Sequence, residues 1–343
     1  MISFYNDYNE LAHPEILKDL VKNQATTHVG YGNDEHTLGA IKHLQRAIAN
    51  DQVDIHLLTG GTMINLIGLK AMLRSYEGVV SCDSGHIIAH ENGAIEATGH
   101  QVVQADNVDG KMTVEALDKV IRANRKEYNT KLRVVYISNA TEFGTVYTKN
   151  ELEELSAYCR ANNLYIYMDG ARMGTAITSE KSDLTLKDIA YLVDVFTIGG
   201  TKNGMISGEA LVISNPIFRP GIRRLIKQRG GLLSKGFSLG MQFETMFKDG
   251  LYFKLAEHAN KMAKDLAEGM RELGIEVLPQ ASNLVFPTLS DDLIQALSSD
   301  FMFEVMDEVR AGHHMTRFVT RWATTEEDVE KLLADIKNFQ KNN

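Results

Sequence analysis

The chain has 343 residues, 44% of them hydrophobic and 24% charged, with a formal net charge of −9. That length, near twice the roughly 150 residues of a typical domain, and an ordinary globular composition predict about two domains and exclude wholesale disorder. The acidic balance disfavours phosphate backbones, so no nucleic-acid partner is expected. No stretch approaches the ~18 consecutive apolar residues of a membrane helix. Residues 1–7 lack the basic start and apolar run of a secretory signal, and Cys82 and Cys159 are too few for a disulfide framework. A cytoplasmic protein without membrane association is the expectation.

In chain order, residues 53–58 read as a short buried strand, followed by Gly60-Gly61 and a helix over 62–73. Strands follow at 79–82, 101–104, 132–137, 165–168, 193–198 and 210–213, with amphipathic helices over 113–125 and 149–161. Short apolar runs alternating with helices of about a dozen residues predict an α/β fold whose mainly parallel, seven-stranded sheet lies between helices. After Gly236 the pattern changes. Helices over 239–248 and 252–273 lead to a strand at 283–289, a helix at 291–298, strands near 303–309 and 316–321, and a terminal helix over 326–339. This predicts a large domain over 1–245 and a smaller C-terminal α/β domain over 246–343.

Open parallel sheets gather ligand groups just past the carboxyl ends of their strands. Four segments fall there. Thr59-Gly60-Gly61-Thr62 closes a strand and opens a helix, so it is either a plain turn or a cradle for one phosphate. It is neither a Walker loop nor a dinucleotide fingerprint. The strand at 165–168 runs into Asp169, with Arg172 three residues on. Asp169 could cap the turn, or could keep a heteroaromatic nitrogen protonated. Lys202 follows the strand at 193–198 among glycines and small polar residues. It is either a solvated charge or an amine placed for a Schiff base. His86 and His90 stand four apart, but Ile87 occupies the position where a zinc-protease helix has Glu, and no third ligand is evident. No metal is expected. His86 is either a structural cap or a ring stacked on a planar cofactor.

These parts occur in the order of a pyridoxal-phosphate enzyme with the aspartate-aminotransferase fold. The chain resembles the threonine aldolase/β-eliminating lyase family over nearly its whole length. The resemblance is carried by Asn6-Asp7-Tyr8, His13-Pro14-Glu15-Ile16, Tyr31-Gly32-Asn33-Asp34, Gly61-Thr62-Met63-Ile64-Asn65, His86-Ile87, Glu91-Asn92-Gly93-Ala94, Asp169-Gly170-Ala171-Arg172 and Thr201-Lys202-Asn203-Gly204.

The resemblance implies a role for each matching residue. Lys202 joins the cofactor as a Schiff base, Asp169 faces its ring nitrogen, His86 stacks on the ring, and Gly61 and Thr62 hold the phosphate. Arg172 and Arg317 are the cations near the substrate carboxylate and the cofactor, and Asn6 and Tyr31 contact substrate. The implied reaction cleaves L-threonine or L-allo-threonine to glycine and an aldehyde; β-elimination on another amino acid is the alternative. A homodimer or homotetramer with sites at the subunit interface is implied too. Tyr31 and the basic residues Lys227, Arg229 and Lys235 would then serve the neighbouring site, unless that cluster is only a solvated helix face. Three departures stand out. Asn6-Asp7-Tyr8 replaces a common Ser-Asp-Thr, Glu142 stands where relatives place a histidine near the β-hydroxyl, and Arg321 competes with Arg317 for the carboxylate. Glu142 is either a base whose pKa burial raises or a turn cap.

Overall fold

The computed structural model describes residues 1–342. A short strand, β1 (Ile2–Ser3), precedes α1 (Pro14–Lys22), which starts where His13 Nδ1 accepts the Glu15 N–H and Pro14 fills the first turn. α2 (Glu35–Ile48) starts at Asp34, whose carboxylate accepts from the Thr37 amide at 2.8 Å. Neither helix is among the elements expected from apolar runs. α1 buries only Ile16, and α2 buries a narrow stripe of Thr37, Ala40, Leu44 and Ile48 among charged neighbours.

The expected alternation follows: β2 (Asp54–Leu58), α3 (Gly61–Met72), β3 (Glu77–Cys82), the one-turn α4 (His86–Ala89), β4 (Val102–Ala105), α5 (Val114–Ala123), β5 (Lys131–Ser138) and α6 (Lys149–Ala161). It continues through β6 (Tyr165–Asp169), α7 (Met173–Ile177), α8 (Leu186–Leu192), β7 (Val195–Gly199) and β8 (Glu209–Ile213). Seven strands form one sheet in the order β2-β8-β7-β6-β5-β3-β4. β8 runs antiparallel to both neighbours, and every other pairing is parallel. Successive residues alternate between two cores: Val135, Ile137, Ile166, Met168 and Phe196 enter one, and Val134, Tyr136, Tyr167 and Val195 the other. A sheet covered on both faces makes its strands apolar throughout, and for that reason their apolar runs are readable.

Beyond β8 come α9 (Ile222–Gln228), α10 (Phe237–Lys248) and α11 (Leu251–Glu272). A smaller unit follows: β9 (Leu284–Val285), β10 (Thr288–Ser290), α12 (Asp291–Leu297), β11 (Phe301–Met302), β12 (Glu304–Arg310), β13 (His313–Val319) and α13 (Glu326–Asn342). β10, β13 and β12 pair antiparallel, with β9 against the other end of β13. The single strand expected over 283–289 is thus broken into β9 and β10. Pro287 lies at the break and has no N–H for a ladder. α11 joins the two units, with Tyr252 and Leu255 in the first core and Met262 to Met270 in that of the smaller unit. The first residues of the chain belong to the smaller unit as well. β1 pairs with β11, and Phe4 packs on Phe301 and Phe318 at centroid distances of 6.4 and 6.0 Å. No helix of the described residues is long and apolar enough to cross a membrane.

Phe4 is fully buried in that core. Phe4→Ala is expected to destabilise the protein by about 3–5 kcal/mol, read as a fall in the urea midpoint. A loss under about 1 kcal/mol would contradict the packing of the N-terminal residues on the C-terminal unit.

Candidate active site

The carboxyl ends of β2, β3, β5, β6 and β7 open on one edge of the sheet. There α3 begins at Gly61 with no side chain capping its first amides and no acid in its first turn. A Cβ built on Gly60 or Gly61 would meet nothing within 4 Å, and Thr62 is exposed. An open helix start with unspent N–H groups receives an anion.

Asp169 ends β6, buried. The Tyr136 hydroxyl donates to its Oδ2 at 2.6 Å, the Asn65 amide donates to the same oxygen at 2.9 Å, and the Ala171 N–H donates to Oδ1 at 2.9 Å. Burial alone would raise its pKa, but the hydrogen bonds from Tyr136 and Asn65 and the neighbouring His86 outweigh burial and hold the carboxyl below its usual range. Asn65 is fully employed. Its amide also donates to Glu91 Oε1 at 2.7 Å, and its oxygen accepts from the Tyr167 hydroxyl at 2.9 Å. Glu91 in turn accepts from His86 Nδ1 at 2.8 Å. Burial works against the imidazolium, yet Glu91 and Asp169 together raise the His86 pKa.

Glu142 closes the same edge. Its Oε1 accepts from the His86 backbone N–H at 3.1 Å and the Ser138 hydroxyl at 2.8 Å. Burial, opposed by Ser138 and reinforced by the Asp169 charge, leaves its pKa raised.

Lys202 lies in the single turn Thr201–Asn203 after β7, ended by Gly204 at φ 93°, a conformation that favours glycine. Burial and the Arg172 charge depress the Lys202 pKa, although Asp7, Asp169 and Glu209 oppose them. Burial pushes Glu209, at the start of β8, up to about 8. Arg172 is forked onto Asp7, Nε to Oδ2 at 2.7 Å and Nη2 to Oδ1 at 3.1 Å, and the Asn283 amide donates to Asp7 Oδ2 at 3.0 Å. A narrow cleft is lined by Asp7, Arg172, Lys202 and Tyr252. A far larger cavity of about 550 Å³ sits at the opposite edge of the sheet beside Arg133, Tyr165 and Asp194. The strand ends bring Asp169, Glu142, His86 and Glu91 together in one hydrogen-bonded network beside Lys202, which that cavity does not.

The remaining expected residues are placed less uniformly. Arg317 on β13 is held by Glu304 of β12 at 2.5 Å, and its charge reaches His90. Arg321 is committed elsewhere: its Nε donates to Glu10 at 2.5 Å and its Nη1 to the Ser3 carbonyl, which ties down the N-terminal segment. Asn6 is buried and accepts from the Tyr8 N–H at 3.0 Å. Tyr31 stands apart, with its ring 5.0 Å from the Lys227 ammonium and its carbonyl accepting from Arg223 at 3.0 Å. Tyr136 is the site residue that sequence reasoning missed. The cross-strand register pairs it with Tyr167 and pairs Ser138 with Asp169, so its phenol reaches the carboxylate from one layer below. Only a known strand order would have revealed that.

A flat heteroaromatic ring bearing a phosphate fits this donor set: an anion at α3, a ring nitrogen at ionised Asp169, a ring face at His86 and an aldehyde at Lys202. Glu91 Oε2 and Asn139 Nδ2 are buried here without partners, polar atoms that a bound group could engage.

Comparison with known proteins agrees. The β-eliminating lyase family model matches residues 14–338. The low specificity L-threonine aldolase of Pseudomonas sp. (strain NCIMB 10558) is 32% identical over 315 residues, covering 90% of this chain and 89% of that protein. The enzyme of the same name from Escherichia coli (strain K12) is 24% identical over 312 residues, 90% of each. A solved structure of Leishmania major threonine aldolase is 44% identical and covers 99% of both chains, with a TM-score of 0.97. Sphingomonas wittichii serine palmitoyltransferase superposes with a TM-score of 0.74 over 99% of this chain and 87% of that one, at 15% identity, which is a likeness of fold alone.

The depressed pKa of Asp169 has a sign that can be checked. The stability it confers is present above its unfolded value near 3.8 and is lost as pH falls through the lower folded value. Tyr136→Phe is therefore expected to cost about 1.5–3 kcal/mol at pH 7, with the penalty shrinking as the carboxyl protonates. Urea titrations from pH 7 down into the acid range read this; an equal penalty throughout would contradict it.

Proposed function

The chain belongs to the β-eliminating lyase family, and from that premise we propose that it is a pyridoxal-phosphate-dependent threonine aldolase, a lyase that cleaves L-threonine or L-allo-threonine to glycine and an aldehyde. The observation that carries this reading is the buried Asp169 carboxylate, held by Tyr136, Asn65 and the Ala171 amide at the end of β6, beside the adjoining strand β7 whose end carries Lys202.

Pyridoxal 5′-phosphate, when bound, supplies an aldehyde for the substrate amine and a protonated ring nitrogen that stabilises the electron pair released at Cα. The chain's own residues do the rest. Asp169, its charge secured by Tyr136 and Asn65, keeps a proton on the ring nitrogen. Lys202, whose pKa burial and the Arg172 charge depress, is shifted toward the nucleophilic free-amine form. The first amides of α3, at Gly61 and Thr62, receive the phosphate. His86, oriented by Glu91, presents its ring to the cofactor face.

Arg172 and Arg317 supply positive potential for the substrate carboxylate. Asp7 takes two donors of Arg172 and leaves Nη1, so the guanidinium is fixed in place with Nη1 left to meet a substrate carboxylate. Glu142 takes the β-hydroxyl proton. A carboxylate whose pKa burial raises is a better base near neutral pH than an exposed one.

We place the enzyme in the cytoplasm, a placement supported by two free, buried cysteines. A homodimer or homotetramer is supported by exposed Tyr31, Lys227 and Lys235, which could complete a neighbouring subunit's site.

Incubation with L-threonine and L-allo-threonine is expected to release glycine and acetaldehyde in equal amounts; 2-oxobutyrate instead would establish the β-eliminating alternative. Asp169→Ala is expected to lower kcat by about 10²–10³-fold and to rank close behind Lys202→Ala; near-normal turnover would refute the assignment of Asp169. For Glu142 the expected loss on Glu142→Gln is about 10²–10⁴-fold. In the unmodified enzyme, activity should fall as pH drops through the raised Glu142 pKa, above 4.5, and the variant's residual rate should lack that limb. An unchanged acidic limb would return the role to His86 or water.

A further inference from the structure

The start of α2 carries a group of side chains that the aldolase reading leaves unused. His28 lies in the loop between α1 and α2, Glu35 and His36 form the first turn of α2, and Glu244 faces them from α10. One ring nitrogen of each histidine and a carboxylate oxygen of Glu35 lie within 4.8 Å of one another. The two imidazoles meet edge-on, at 68° with centroids 5.1 Å apart.

His28 is packed against Phe237 with its side chain 1% exposed, and its Nε2 is a buried polar atom without a partner. Its Nδ1 lies 2.9 Å from Glu35 Oε1. His36 Nδ1 lies 2.7 Å from Glu244 Oε2, an arrangement in which the carboxylate sets the tautomer and orients the other ring nitrogen.

The geometry points to a divalent transition-metal site, of the zinc class, formed by His28, Glu35 and His36 with Glu244 holding His36 from behind. Two imidazoles and one carboxylate suit zinc and its neighbours, whereas magnesium and calcium prefer oxygen ligands alone. Zinc holds such ligands tetrahedrally at about 2.0–2.2 Å, so any two donors around it lie about 3.3–3.6 Å apart. From its present 4.8 Å window the widest pair must close by a little over an ångström, roughly a side-chain adjustment. Glu35, with a side chain 65% exposed, is free to make that adjustment and leaves a route for the ion. The ion would pin the loop that carries Tyr31 against α10. It takes no part in the proposed cleavage, so the site stands or falls independently of that reading.

Zinc titration of the chelator-stripped, pyridoxal-phosphate-loaded enzyme, followed by calorimetry, tests this. One Zn²⁺ per chain is expected, with anomalous diffraction at the zinc edge placing it between His28, Glu35 and His36. Glu244→Gln should weaken binding about 10–100-fold, and His28→Gln should abolish it. Glu35→Gln changes an exposed helix-start residue and preserves the fold; it should weaken binding at least tenfold while leaving aldehyde release unchanged. Absence of saturable uptake, or uptake of equal affinity in Glu35→Gln and wild type, as an ion at the His86–His90 pair would give, overturns the assignment.

Discussion

The whole site depends on keeping one buried carboxylate charged. Removing Asp169 from water is costly, and among the described residues no cation forms an ion pair with it at hydrogen-bond distance. The structure meets that cost with neutral donors from three elements: Tyr136 of β5, Asn65 of α3 and the Ala171 amide beyond β6. Tyr136 and Tyr167 stack at 5.8 Å and 10°, so the aromatic layer beneath Asp169 is both hydrophobic core and hydrogen-bond platform. Asn65 then extends the network through Glu91 to His86. Helix, sheet and loop are registered against one another by these contacts, and each donor is useful only because the others are in place.

Opposite that anion, cationic charge is rationed. Burial and Arg172 favour a neutral Lys202, while Asp7 neutralises Arg172 in part through a two-point contact spanning 165 residues. Asp7 itself is fixed by Asn283 and by the way the N-terminus is built into the smaller unit, through β1 on β11, Phe4 in its core and Arg321 on Glu10 and Ser3. Movement of the C-terminal unit would therefore be felt at the Arg172 fork and, through electrostatics, at the Lys202 amine.

The fold alone does not specify this chemistry. Serine palmitoyltransferase and an aromatic aminotransferase share the architecture at 15% identity with TM-scores of 0.74 and 0.70. A shared architecture leaves the chemistry to the side chains placed on its strand ends.

Much of this was legible before any coordinates. Strands buried on both faces leave uninterrupted apolar runs, so their positions in the large sheet are readable to within two residues, and the residues just past them, Asp169 and Lys202, follow directly. Helices α1 and α2 were not legible, because their buried stripes are narrow, nor was the break at Pro287, whose effect depends on which strand it must pair with. The antiparallel course of β8, the reach of Tyr136 to Asp169 and the gathering of His28, His36 and Glu244 were beyond sequence reasoning for one reason. Each includes a contact between distant parts of the chain, β8 against β2, Tyr136 against Asp169 and His36 against Glu244, the last 208 positions apart, and local periodicity carries no information about such pairings. Arg317 and Arg321 make the same point at short range. Four residues apart and chemically alike, they are told apart only by their partners, since Arg321 spends its guanidinium on Glu10 and Ser3, whereas Arg317 stays on the strand that faces His90. Composition and pattern determined the elements and the chemistry at their ends; the tertiary structure decided which charges are neighbours, because that is a property of packing and not of order along the chain.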